Sequence, residues 1–157
     1  MTVEQRPPPT GGVARLARLG FANPERSLVL LGPTGLRLWD EIALGPTDPG
    51  AAAVVSALGR AADPDLALLA LARLAEAVGD GSAALLARLR SSPALRARLI
   101  ALLGASSALG DHLIAHPADW RLLDADRHRA PPASPDDPTV DPLPAHEPAP
   151  EIGRAHV

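Results

Sequence analysis

The apolar positions of this chain recur at helical spacing. In "SPALRARLIALLG", residues 92–104, Leu95, Leu99, Leu102 and Leu103 fall at i, i+4, i+7 and i+8. They form one stripe, while Arg96 and Arg98 point elsewhere. Gly104 is expected to supply the left-handed residue that ends this helix. "DLALLALARLAEAV", residues 65–78, reads differently, because Leu66, Leu68, Leu69, Leu71 and Leu74 cover a wide arc. A helix apolar on most sides belongs at the centre, touched by several neighbours.

The polar positions punctuate these stripes in one repeated form. Asn23, Asp48, Asp63 and Ser92 each stand directly before a proline. A short polar side chain can cap free backbone N–H groups, and proline fits the first helical position, where its missing N–H does no harm. Together the marks predict helices over 13–19, 24–31, 50–60, 64–78, 82–90, 93–103, 106–116 and 117–124. Between them "LGPTGLRLWDE", residues 31–41, carries two glycines and a proline and reads as a loop leading into a turn of helix. The fold class is all-α, a small antiparallel helical array over residues 13–124. Residues 1–12, rich in Pro and Gly, are expected to be mobile. Residues 125–150 hold eight prolines and almost no large apolar side chain, so a disordered linker is expected there.

Composition strengthens the helical reading. The chain has 157 residues and is 46% hydrophobic, yet only 2% aromatic, so its core must be built from Leu, Ala, Val and Ile. Ala and Leu favour helices, and the residues that favour strands are scarce. All 15 basic residues are arginine, a sign of a GC-rich genome as much as of function. The net charge of -3 argues against a nucleic-acid binder. Cysteine is absent, which excludes disulfides and thiolate metal sites. No signal pattern opens the chain, and no apolar run reaches the roughly 18 residues of a membrane span. A cytoplasmic location is the expectation.

The candidates for chemistry cluster in "LGASSALGDHLIAHPADWRLL", residues 103–123. His112 and His116 stand four apart, the spacing two metal ligands on one helix face need. Leu113 occupies the place that glutamate holds in the zinc-protease pattern H-E-x-x-H, and His128, the next histidine, lies in the Pro-rich segment. The packing reading is more natural: Leu109, Leu113 and His116 form one stripe, Asp111 favours the helix dipole, and Pro117 starts the next helix. Trp120 would then fold back to close the core, while His116 satisfies backbone groups left open at the break. Asp124 and Asp126 match the bare D-x-D with which nucleotidyltransferases hold metal ions, but they follow a helix and enter a Pro-rich run rather than lying on a strand. Ser106 and Ser107 sit where a helix cap belongs and lack the G-x-S-x-G of a nucleophile. Arg88, Arg90, Arg96 and Arg98 could hold an anion, though a solvated helix face is the commoner outcome. "LGPTG" lacks the Gly-Lys-Ser/Thr of a phosphate-binding loop. Read from the residues, catalytic, cofactor-binding and metal sites are all expected to be none.

The segment "LLGASSALGDHLIAHPADWRLL" resembles a helix of the bacterial bifunctional glutamine synthetase adenylyltransferases, which reads roughly S-x-x-L-x-D-x-L-x-A-H-P and then an aromatic residue. The matching positions are Ser106 or Ser107, Leu109, Asp111, Leu113, Ala115, His116, Pro117 and Trp120. "VARLARLGFANPERSLVLL", "LALLALARLAEAV" and "LLARLRSSPALRARLIALLG" are similar to the form found in high-GC bacteria, so the resemblance spans about residues 13–124. It implies a parent that transfers AMP from ATP to a tyrosine of glutamine synthetase and removes it by phosphorolysis, with ATP and Mg²⁺. It also implies two partners, glutamine synthetase and the parent's own downstream nucleotidyltransferase domains. The family's catalytic signature, a Gly-Gly turn followed by Ser-Asp-x-Asp, does not occur in this sequence. The chain therefore reads as an N-terminal helical fragment, inactive alone, and the competing reading is a stand-alone helical interaction module. The last seven residues, "EIGRAHV", back-translate to GAG-ATC-GGA-AGA-GCA-CAC-GTC, which resembles a short-read sequencing adapter. Residues 151–157 are accordingly expected to stand outside the fold.

Overall fold

A proline preceded by a capping residue opens most of the long helices, as the punctuation implies. The computed structural model describes residues 11–124, all within the unit Met1–Arg127. Residues 1–10 and the expected linker and adapter segments, 125–150 and 151–157, lie outside the described residues. Among those described, seven α-helices occur in the order α1 (Gly11–Arg18), α2 (Pro24–Leu31), α3 (Pro49–Gly59), α4 (Pro64–Val78), α5 (Ser82–Ser91), α6 (Pro93–Ala105) and α7 (Ser107–Ala115). A 3₁₀ turn, Gly79–Gly81, links α4 to α5, and a 3₁₀ helix, Pro117–Leu123, follows α7. The all-α class holds.

Three of the four proline-linked caps form as expected. Asp48 accepts the Ala51 N–H at 2.7 Å, Asp63 the Leu66 N–H at 2.9 Å and Ser92 the Leu95 N–H at 3.2 Å. Asn23 makes no side-chain cap. Asp65, in the first turn of α4, takes that role across the fold, accepting the N–H groups of Ala22 at 2.7 Å and Asn23 at 3.1 Å. A carboxylate at a helix start also meets the positive end of that helix's dipole, so α4 holds the beginning of α2 electrostatically.

Helix α4 is central. It packs against α2, α3, α5, α6 and α7, and it buries Ala67, Leu68, Ala70, Leu71, Leu74 and Ala75. The alanines let neighbouring backbones come close, and the leucines fill the gaps between them. On α6 the buried stripe is Leu95, Leu99, Ile100 and Leu103, with Leu102 only half-buried.

The structure corrects four local expectations. Helix α1 begins at Gly11, two residues ahead of the expected Val13. Residues 117–123 wind as 3₁₀ rather than α-helix. Gly104 does not end α6 in a left-handed conformation; the helix runs to Ala105, and Ser106 ends it. Glycine stands there because α6 crosses the start of α4 closely: a Cβ on Gly104 would lie 2.8 Å from the Ala61 Cβ. Finally, the 31–41 stretch contains no turn of helix. Leu36 and Leu38 are buried while Arg37 is exposed, a period-two pattern, and the chain leads into a small antiparallel hairpin. Its strands are β1 (Trp39–Asp40) and β2 (Gly45–Pro46), with Trp39 opposite Pro46 and Asp40 opposite Gly45.

Candidate functional site: the junction of residues 106–124

Ser106 both ends α6 and caps α7, accepting the Leu109 N–H at 3.3 Å. Its hydroxyl is thereby a structural acceptor. Along α7 the buried positions are Gly110 and Leu113, whereas Leu109 is half exposed and His116 exposed. The expected stripe of Leu109, Leu113 and His116 is therefore wrong by part of a turn. Helix α7 turns its glycine toward α4, where a Cβ on Gly110 would lie 3.5 Å from the Ala70 Cβ. That choice rotates Leu109 outward. Asp111 falls outside the first turn of α7 and pairs instead with Arg73 of α4 at 3.2 Å.

The two histidines do come together, but as a stack. Their ring centroids are 4.5 Å apart and the planes are inclined by 29°. His116 caps the break: its Nδ1 lies 3.1 Å from the His112 carbonyl, a distance at which the Nδ1–H tautomer donates to it. His112 Nε2 is 3.6 Å from the Asp119 carboxylate. One nitrogen of each ring is thus directed at a partner within the fold, and no cluster of three ligand side chains occurs among the described residues.

Trp120 is buried, with 4% of its surface exposed, and the Arg121 guanidinium lies 5.0 Å from the ring centroid. Its indole N–H reaches no hydrogen-bond acceptor among the described residues. Trp120 thus contributes apolar bulk to the core and nothing polar.

Asp124, the first carboxylate of the D-x-D pair, is gripped by Arg88 of α5. Arg88 donates two parallel hydrogen bonds, Nε to Oδ2 at 2.7 Å and Nη2 to Oδ1 at 2.6 Å, and the Asp124 side chain is 7% exposed. Asp126 lies outside the described residues. The other arginines are also engaged in holding the fold. Arg90 donates to the Arg37 carbonyl at 3.0 Å and faces Asp48 at 3.5 Å. Arg96 closes the end of α5, donating to the carbonyls of Leu89 at 2.9 Å and Arg90 at 3.2 Å. Arg98 donates to the Leu123 carbonyl at 3.2 Å. The four arginines, of which Arg98 is exposed and the others half-buried, each make hydrogen bonds within the fold. They are clasps on carbonyls and carboxylates that the 3₁₀ helix and the ends of helices leave open.

Two carboxylates titrate below their ordinary range, both because backbone N–H groups stabilise the charged form. For Asp40 the donors are Ala43 and then Ile42 in the hairpin turn; for Asp48 the chief donor is Ala51, with Arg90 adding attraction. These are turn and cap carboxylates. A groove that the sequence pattern does not announce lies beside the hairpin, of about 390 Å³, lined by Pro33, Arg37, Trp39, Asp40, Glu41, Ile42 and Thr47. No single helix among the described residues is long and apolar enough to cross a membrane; α6 and α7 together are, but they bend by 117° at their break.

Among the described residues, Ser106, His116 and Asp124 of the junction make hydrogen bonds that hold helix ends and the chain after α7. Relatives give this helical chain a family. The chain is 43% identical over 121 residues to the bifunctional glutamine synthetase adenylyltransferase/adenylyl-removing enzyme of Nocardia farcinica, covering 75% of this chain and 11% of that protein. The enzyme of the same name from Streptomyces avermitilis is 45% identical over 114 residues, 70% of this chain and 10% of its own length. That from Mycobacterium avium is 58% identical over 67 residues, 43% of this chain and 7% of its own. The chain is a relative of the glutamine synthetase adenylyltransferases of high-GC actinobacteria, and it spans about a tenth of the length of the curated relatives it matches. No protein-family model and no solved structure matches it.

Proposed function

We propose that this chain is the N-terminal helical region of a bifunctional glutamine synthetase adenylyltransferase/deadenylylase, a scaffold that carries no chemistry of its own. The observation that supports this most is identity of 43–45% over 114–121 residues to enzymes of that name. In this reading the parent adds AMP from ATP to a tyrosine of glutamine synthetase and removes it again. Mg²⁺, ATP and glutamine synthetase are then the business of nucleotidyltransferase domains elsewhere in the parent, which works in the cytoplasm. The commitments of Ser106, His116 and Asp124 to caps and clasps agree with a structural role.

Two measurements test the reading. The coding sequence in the source genome should continue in frame past residue 150 into a nucleotidyltransferase domain; a stop codon there would favour a stand-alone interaction module. The purified chain, given ATP, Mg²⁺ and glutamine synthetase, should transfer no AMP. Transfer above a protein-free control would overturn the scaffold assignment.

A further inference from the structure

The hairpin presents apolar side chains to water from a rigid base. Ile42 is 96% exposed and Leu44 49% exposed, yet the turn that carries them is firmly held. Asp40 accepts the N–H groups of Ile42 at 2.7 Å and Ala43 at 2.9 Å. Arg15 of α1 lies 5.7 Å from the Trp39 ring centroid and reaches the Leu44 carbonyl at 3.5 Å. Leu44 and Arg37 are held at φ of 51° and 54°, left-handed backbone that branched or bulky side chains resist. Only Leu44 of these two lies in the turn itself, where its left-handed backbone accompanies the exposed Ile42 and the half-exposed Leu44 side chains. Beside the tip lies the groove of about 390 Å³, with Trp39 and Pro33 in its wall. Asp40 and Glu41 outnumber Arg37 on its lining, and the Asp40 carboxylate stays charged on its turn N–H groups.

Resting on the parent-enzyme reading above, we propose that this tip is an intramolecular docking knob. Its occupant is an apolar segment edged by basic side chains, in the part of the full-length chain that lies beyond the present 157 residues. Two arguments select that occupant. Relatives are about seven times longer than this chain, so in the parent reading most of the polypeptide that could cover the tip is covalently attached to it. Attachment raises the effective concentration of a weak contact far above that of a free partner. The acidic excess on the groove favours basic side chains at the segment's edge and disfavours a second copy of the same hairpin, which would place like charges together.

The absence of cysteine in this chain makes the test direct. Ile42→Cys and, as a control on α2, Val29→Cys (64% exposed in the wild type) are introduced into the full-length protein and into the 157-residue chain. Alkylation by iodoacetamide is followed by peptide mass spectrometry. Position 42 should react at least about tenfold more slowly in the full-length protein than in the short chain, independently of protein concentration, while position 29 changes by less than about twofold. Cross-linking from the introduced thiol at position 42 with a short thiol-to-amine reagent should then recover a lysine-bearing peptide from beyond residue 157. Equal reactivity in both forms would overturn the proposal, as would protection that grows with protein concentration and so reports a second copy. A frame that stops after residue 150 would overturn the parent-enzyme reading and this one together; a continuing frame with an unprotected position 42 would overturn this one alone.

Discussion

Removing the Trp120 ring tests whether the 106–124 junction is a packing device. The ring is 4% exposed, so nearly all of its surface leaves water on folding. A buried aromatic side chain covers roughly 150–250 Å², which at about 25 cal/mol per Å² stabilises by about 4–6 kcal/mol as an upper estimate. Against this stands the indole N–H, buried without an acceptor among the described residues, which costs about 1–3 kcal/mol. The net loss expected for Trp120→Ala is therefore about 1–5 kcal/mol, centred on about 3 kcal/mol, a sizeable share of the roughly 5–15 kcal/mol typical of a whole domain. Urea unfolding followed by far-ultraviolet circular dichroism measures it, and Trp39 remains as an independent fluorescent reporter. Trp120→Phe separates the two contributions. It keeps most of the apolar surface and deletes the unpaired N–H, so it should stay within about 1 kcal/mol of wild type. If Ala and Phe were equally damaging, or if Ala changed stability by less than about 0.5 kcal/mol, the packing argument would be refuted. His116→Gln belongs to the same experiment. Its one hydrogen bond lies on an exposed side chain, so less than about 1 kcal/mol is expected, with identical wild-type melts in the presence and absence of EDTA. An EDTA-sensitive melt that disappears in His116→Gln would show the histidines to be metal ligands.

Arg88→Met removes the bidentate hydrogen bonds to the buried Asp124 carboxylate; allowing for an arginine side chain that is 36% exposed, a loss of about 2–3 kcal/mol is expected, and Arg88→Met combined with Asp124→Leu should be milder than either alone in the same urea assay. Glycine substitutions should diverge in sign: Gly104→Ala forces a Cβ to 2.8 Å from that of Ala61 and should destabilise by about 1–3 kcal/mol, whereas Gly110→Ala meets nothing closer than 3.5 Å and should stabilise by about 0.5–1 kcal/mol. For pH, the Asp48 carboxyl titrates below its ordinary value in the folded chain, so its contribution is complete above the ordinary aspartate range and disappears as pH falls through the folded value. Asp48→Asn keeps a capping oxygen but cannot titrate, and urea midpoints measured from about pH 7 to about pH 2 should fall less steeply for it than for wild type. A variant with an unchanged acid limb would remove Asp48 from the account.

Local chemistry settled much of this protein. The Pro-Asp-Leu start of α4, the caps at Asp48, Asp63, Ser92 and Ser106, and the wide apolar arc of residues 65–78 each follow from neighbours within one helical turn, which is the range over which caps and stripes act. The identity of the stretch around His116 and Pro117 was legible for the same reason, since it is written in consecutive residues. What the chain alone left undecided depends on partners far along it. Asp65 caps α2 across 42 and 43 residues, Arg88 clasps Asp124 across 36, and Gly104 is glycine because another helix passes there. An arginine on a helix looks the same in sequence whether it meets water or a carboxylate, so the four arginines read as a solvated face until packing brought their acceptors within reach. The rotation of α7 is the same lesson in apolar form. Leu109 and Gly110 are neighbours on α7, and only the packing of the whole helix decides that Gly110 and Leu113 are buried while Leu109 is left half exposed.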